Sequence, residues 1–473
     1  MFLNQNLKQP PPVKVLINIG ALLDIPTGFY IKGYHGESIL LGGLGAITAV
    51  VGRGNRFKST VMHYMLLSAM NRITSTAETS SSTYDTEINI HEHALKRFIN
   101  RFSYLKDKNI IDTGAWVITD KIQYYGNKWY ESVKEFIKFK ETNKTKIEYE
   151  TPFMSRDKGK LKLTIPTFSE IDSFSEFETE DVAKMQDENE LGESGGNTIH
   201  MRLGLAKTRF MMEAPTVFGG VNHFLLLTAH LGDAVQIAAG PYAPIPVKKL
   251  QFMKAGDKIK GVTDKFFFLM NNAWHTVSAA PLINQSTKGP EYPKNSDDID
   301  GSDLNIVVLQ QLRGKSGPTG FTLDLIVSQR EGVLPSLTEF NYIKDNDRFG
   351  ISGTLQHYNL DLYPDVKLSR TTVRGKIDSD LKLQRALNIT SELCQMRQFY
   401  GEIRDQLCTP KELYDSLKAM GYNWDVILEH TRGWWAFNDK DHPLKFLSTM
   451  DLINIKNKTY EPYWLKDLKS IKQ

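Results

Sequence analysis

The chain has only two cysteines, Cys394 and Cys408, in 473 residues. Two thiols cannot build a disulfide scaffold or a four-cysteine zinc site. They do not form a CxxC pair, and their scarcity fits a reducing compartment. No apolar run approaches the roughly 18 residues that a membrane-spanning helix needs, so no membrane contact is expected. The opening MFLNQNLKQPPPVKV has no cationic stretch followed by an apolar one, so no secretory leader is expected and a cytoplasmic location is the expectation. A large charge of one sign is missing too. The 58 Lys+Arg against 55 Asp+Glu leave a net charge of +3, which excludes an indiscriminate basic coat for nucleic acid. That balance is a cancellation of opposed patches. Residues 170–193 carry ten acidic side chains and one lysine, whereas residues 247–260 carry five lysines and one aspartate.

What is present is ordinary for a globular protein: 41% hydrophobic and 24% charged residues. The length allows two or three domains, or one large core with an appendage. The prolines at 10–12 read as a stiff tether, and residues 13–25 as a strand or short helix. Residues 46–51 are apolar and β-favouring, and the apolar spacing from Ser59 onward predicts a helix. Strands are expected to end near Glu87, over 161–168 (weakened by Pro166), over 224–229, 265–270, 305–309 and 321–327, with a helix over about 201–212. This alternation predicts an α/β fold with a mostly parallel, helix-covered sheet. We divide the chain into an N-terminal arm over 1–35, a core over 36–345 and a small helix-rich C-terminal domain over 346–473. In the last of these, Thr409, Pro410 and Glu412 make a strong helix start.

The sharpest motif is Gly52-Arg53-Gly54-Asn55-Arg56-Phe57-Lys58-Ser59-Thr60. It fits G-x-x-x-x-G-K-[ST], except that Phe57 stands where glycine is usual. That pattern supplies backbone N–H groups around a polyphosphate, a lysine for the outer phosphates and a hydroxyl for Mg²⁺. It needs a strand before it and a helix after it, and both are expected here. Further along, Glu87 follows a strand end, where a carboxylate can polarise water or simply cap a helix. Asp172 ends an apolar stretch, where it can hold Mg²⁺ or be a turn acid. His230 follows the apolar run FLLLTA and is either a phosphate sensor or a structural histidine. Arg313 and Lys315 lie in RGKSGPTG, read either as a finger reaching a neighbouring subunit or as a basic turn. Lys248, Lys249, Lys254, Lys258 and Lys260 interleave with apolar residues, as in a loop that meets single-stranded nucleic acid or in a solvated hairpin.

Taken in order, these segments resemble the RecA family, most closely the bacteriophage UvsX-type recombinases. The resemblance rests on Phe57-Lys58-Ser59, Tyr84-Asp85-Thr86-Glu87, Ile171-Asp172-Ser173, the acidic run at 178–181, the stretch from Gly192 to Ala206, and Leu227-Thr228-Ala229-His230. It spans about residues 22–345. It implies a RecA-like P-loop ATPase core that binds ATP and Mg²⁺, with Glu87 as catalytic base and His230 as sensor. It implies DNA-binding loops near 190–202, with Arg202, and 234–262, with the five lysines. The partners it implies are single-stranded DNA, further copies of the chain in a filament or ring, and a single-strand-binding protein or loader. For a phage-type protein the location would be the host cytoplasm. The RGKSGPTG segment also looks like the finger region of DnaB-type hexameric helicases, which is the alternative reading.

Overall fold

The computed structural model describes residues 13–188, 196–233, 248, 250–263, 266–295, 298, 300–354 and 356–465. Strands β1 (Phe29–Lys32) and β2 (Ser38–Leu41) form an antiparallel hairpin. Next come β3 (Ile47–Gly52), α1 (Lys58–Thr74), β4 (Ser81–Asp85), α2 (Glu92–Ile99), β5 (Trp116–Asp120) and α3 (Gly126–Thr142). A second hairpin, β6 (Glu148–Met154) and β7 (Lys160–Thr164), leads into β8 (Thr167–Asp172), α4 (Glu180–Asp187) and α5 (Gly196–Gly219). The core ends with β9 (His223–Asp233), β10 (Asp257–Ile259), α6 (Phe266–Leu269), β11 (Asn272–Pro281), β12 (Leu304–Gly314), β13 (Thr322–Ser328), β14 (Gly332–Val333) and α7 (Pro335–Asp345). Helices α8 (Val373–Ser379) and α9 (Leu381–Phe399) follow.

The large sheet runs in the order β14-β13-β12-β11-β3-β9-β8-β4-β5, with β10 on the end of β9. The run from β11 to β5 is parallel throughout. The other flank, β12 to β14, is antiparallel. The fold is thus mixed α/β with a large, mostly parallel central sheet. Its central strands show why. Every residue of β3 and of β8 is buried, as strands covered on both faces must be, and β3 is a run of Ile, Thr, Ala and Val.

Three sequence expectations need correction. Residues 265–270 were expected as a strand, but Phe266–Leu269 is a short helix and the strand begins at Asn272. Periodicity cannot separate the two in so short an apolar run. Residues 161–168 form two strands, because Pro166 lacks the donor that a continuous ladder requires. Residues 13–25 form neither a helix nor a paired strand, apart from one bridge between Ile17 and Leu44. Asp24 organises them instead, accepting from the Ile19 and Gly20 amides at 2.7 and 2.9 Å.

Residues from 13 onward are packed within their own chain. Trp435 donates to the Leu16 carbonyl at 3.2 Å, Gln395 to Leu22 at 2.8 Å, and Tyr400 to Ile25 at 2.9 Å. One apolar cluster joins Val15, Leu16 and the sheet to Trp435, Phe437 and Phe446. Another joins Leu304 and Ile326 of the sheet to α7 and α9. The part beyond residue 346 therefore shares cores with the sheet. The expected helix start at Thr409 is a full capping box over Pro410–Ala419.

Candidate functional site

The 52–60 loop leaves the carboxyl end of β3 and turns directly into α1. In open α/β sheets, ligands bind at that end. A side chain at Gly52 would collide with the Thr276 hydroxyl at 2.0 Å, so the loop's entry requires glycine. Asn55 and Phe57 both adopt left-handed backbone, at φ 57° each. Phe57 thus takes the conformation for which glycine is usual. As N-cap of α1 it offers no side-chain acceptor, and the first turn has no acid. The amides of Lys58, Ser59 and Thr60 face outward at the positive end of a 17-residue helix, an anion-binding arrangement.

Lys58 is buried, and its Nζ reaches back to the Arg53 carbonyl at 3.1 Å. Burial pushes the Lys58 ammonium below its ordinary range, while Asp172 and Glu87 favour its charge and Arg56 opposes it. Asp172 ends β8 beside β9. Thr228 donates to its Oδ1 at 2.5 Å, and the Ser59 side chain also hydrogen-bonds to it. Burial pushes the Asp172 carboxyl up, and the His63 charge and these hydrogen bonds only partly offset that. A desolvated carboxylate touching a hydroxyl is a donor pair suited to Mg²⁺, which keeps several waters and takes one or two carboxylates plus phosphates. Among the described residues no cluster of three His, Cys, Asp or Glu forms a ready-made metal cage.

Glu87 lies just past β4. His230 Nε2 stands 2.5 Å from its Oε1, and Asn89 donates to its Oε2 at 3.0 Å. The His230 hydrogen bond holds the Glu87 carboxyl below its usual range, against burial and with help from Lys58. Lys58, Ser59, Asp172, Glu87 and His230 therefore meet at one edge of the sheet, although 172 residues separate the first from the last. Parallel pairing does this: β3 lies beside β9, β9 beside β8 and β8 beside β4, with all four ending at the same edge.

The lysine-bearing segment joins this edge. Strand β10 pairs with the end of β9, and the Lys260 amide donates to the His230 carbonyl at 2.9 Å. Lys248, Lys254, Lys258 and Lys260 are exposed. Lys249, and the stretches 189–195 and 234–247 of the two expected loops, lie outside the described residues. Arg202 is exposed on α5. That helix is tied to the site by buried Lys207, which donates to the Ser175 carbonyl at 2.5 Å, while the Ser175 hydroxyl accepts from the His230 amide at 2.8 Å.

Arg313 and Lys315 are not part of this cluster. Gly314 pairs with Asn272, which pairs with Thr48 at the start of β3. At about 3.3 Å per residue, that is some 13 Å along the strand from Gly52. The Arg313 guanidinium lies over the Phe268 ring, 5.6 Å from its centroid.

Sequence reasoning did not find two features. One is the buried chain from His63 through Glu170 and Thr83 to Trp116, in contacts of 2.8, 2.7 and 2.7 Å. The other is Arg53, expected on a phosphate but held by Asp233 and Asp257. Only strand register brings these partners together, so no local signal announces them.

Comparison with protein-family models finds no match, and comparison with curated proteins finds none either. Among the described residues no helix is long and apolar enough to cross a membrane. The class of molecule is thus fixed by fold and site alone: a mixed α/β protein with a mostly parallel sheet and a cluster of Lys, Ser, Asp, Glu and His at its carboxyl edge.

Proposed function

We propose that this chain is an ATP-dependent DNA recombinase of the RecA kind. It would polymerise on single-stranded DNA and promote homologous pairing and strand exchange. The observation that carries the reading is the meeting of Lys58, Ser59, Asp172, Glu87 and His230 at one sheet edge, with His230 continuous with the root of the lysine-bearing segment.

The α1 amides and Lys58 would bind the outer phosphates of ATP. Ser59 and Asp172 would hold Mg²⁺, which supplies neutralising charge to the phosphates. Glu87 would orient the attacking water and take its proton, once one carboxylate oxygen is released by Asn89 or His230. His230 would pass the state of the site to β10 through the strand itself. Arg313 and Lys315, lying away from their own chain's cluster, suit contact with a neighbouring subunit's phosphates. Arg202 and the lysines at 248, 249, 254, 258 and 260 would bind DNA through its phosphates, without sequence readout.

The test is electron microscopy with single-stranded DNA and a non-hydrolysable ATP analogue, paired with a strand-exchange assay. Helical filaments and strand exchange are expected. Closed hexamers that unwind duplex would overturn the recombinase reading in favour of a replicative helicase.

A further inference from the structure

We infer that Arg53 is a latch, shared in alternation between two carboxylates at the root of the lysine-bearing segment and the phosphates of a nucleotide in the 52–60 loop. The inference rests on the proposed nucleotide site and adds a way for that site to control β10.

Arg53 belongs to the 52–60 loop, yet its guanidinium points away to the hairpin root. It grips Asp233 bidentately, at 2.6 Å from Nη2 to Oδ1 and 3.1 Å from Nη1 to Oδ2. Nη2 also reaches Asp257 Oδ1 at 3.3 Å. Asp233 ends β9 and Asp257 begins β10, and the two are direct partners across the antiparallel pair. Like charges directly opposed in a sheet repel, so this pairing depends on a shared cation. The two acids differ in exposure: the Asp233 side chain is 70% exposed and that of Asp257 only 6%. Losing Arg53 would leave a buried carboxylate without its ion pair.

A substitute partner is built in beside it. His275 on β11 pairs with Val51, one residue before Gly52. It is 9% exposed, and its Nε2 has no hydrogen-bond partner. Burial holds the His275 ring below its ordinary range; the Asp257 charge favours its protonation, and the charges of Arg56 and Arg53 oppose it. Withdrawal of Arg53 removes one of the opposing charges and leaves Asp257 in need of a donor.

The other end of the latch faces the phosphate site. Lys58, the proposed phosphate lysine, now spends a hydrogen bond on the Arg53 carbonyl. Its turn toward a phosphate would free the Arg53 backbone. Guanidinium binds phosphate bidentately, as it binds carboxylate, and the Arg53 side chain is 37% exposed, which leaves it free to move. Partly exposed ion pairs are weak, which is what a reversible latch requires. Release would loosen β10, and with it Lys258 and Lys260, from β9.

Limited trypsin digestion, read by mass spectrometry at Lys258 and Lys260, tests this in the full chain with and without a non-hydrolysable ATP analogue. Nucleotide affinity is measured in parallel by displacement of a fluorescent analogue. In the wild type, saturating analogue should raise cleavage at these two lysines several-fold. The Asp233→Asn protein should be cleaved readily without nucleotide. Its nucleotide affinity should also be tighter, by about fivefold, because linkage makes the competition reciprocal. A purely structural ion pair would give the faster cleavage without the tighter binding, and that result would overturn the latch. So would nucleotide binding to the wild type with unchanged cleavage. Absence of any nucleotide binding would sink the proposed site, and the latch with it.

Discussion

The buried pair between His63 on α1 and Glu170 on β8 predicts a specific pH dependence of stability. His63 Nδ1 lies 2.8 Å from Glu170 Oε1, and neither side chain meets solvent to any extent. Burial alone would keep the imidazole neutral. The Glu170 charge and hydrogen bond outweigh burial, and push His63 up from 6.5 to about 9. A folded-state value above the unfolded one means that folding favours the protonated ring. The stabilisation is therefore fully present below about pH 6.5 and is lost as pH rises through about 9. At about 1.4 kcal/mol per unit, a shift of this size contributes on the order of 3 kcal/mol. For 473 residues, unfolding entropy near 60 °C is about 1 kcal/mol/K, so the effect on Tm is about 3 °C. Scanning calorimetry on the wild type and His63→Gln between pH 6 and pH 10 measures it, the variant correcting for other groups that titrate in that window. The wild type's advantage in Tm should shrink by about 3 °C as pH rises. A gap that stays constant across that window would refute the charged-pair assignment.

The remaining predictions concern the site and the shared core. Lys58→Ala should lower ATP turnover by about 10²-fold or more while leaving the far-UV spectrum unchanged, and turnover that persists would defeat the nucleotide-site reading. Glu87→Gln should cut turnover by about 10²–10⁴-fold with nucleotide affinity retained; equal losses in both would make Glu87 a binding group, not a base. Replacing Lys254, Lys258 and Lys260 together by alanine should flatten the log–log salt dependence of single-stranded DNA binding by about 2, and an unchanged slope would remove these lysines from the DNA contact. Trp435 is buried against Phe153, with ring centroids 4.8 Å apart. Trp435→Ala should cost about 3–5 kcal/mol in a denaturant titration, and a cost near zero would contradict a core shared between the sheet and the C-terminal part.

Much of the site could be read locally, because each part sits at a strand end marked by its own apolar run. The β3 run, the 52–60 loop and the α1 periodicity are contiguous, so their order alone predicts strand, turn and helix. Asp172 likewise ends its strand, and His230 directly follows the apolar run 224–229 within β9. The run at 265–270, where the structure forms a four-residue helix, misled because so short a stretch carries too little periodicity to separate helix from strand. Residues 13–25 misled because their conformation comes from contacts with Asp24, Tyr64, Ser68 and Trp435, most of them distant in the chain.

By itself, the sequence determined the chemical inventory and its spacing: a glycine-bearing loop before a helix, strand-ending carboxylates and a lysine-rich stretch. These follow from short-range physics, namely backbone propensity, helix capping and hydrophobic period. Only the tertiary structure decided which of them meet. Strand order placed Glu87 against His230 and Asp172 beside Ser59, while antiparallel register sent Arg313 and Lys315 to the far end of the sheet. It also turned Arg53 toward Asp233 and Asp257 and gave His63 its buried acid. Such pairings depend on which strands become neighbours. That choice is made by burial of whole faces, summed over the sheet, and no local window of residues contains it.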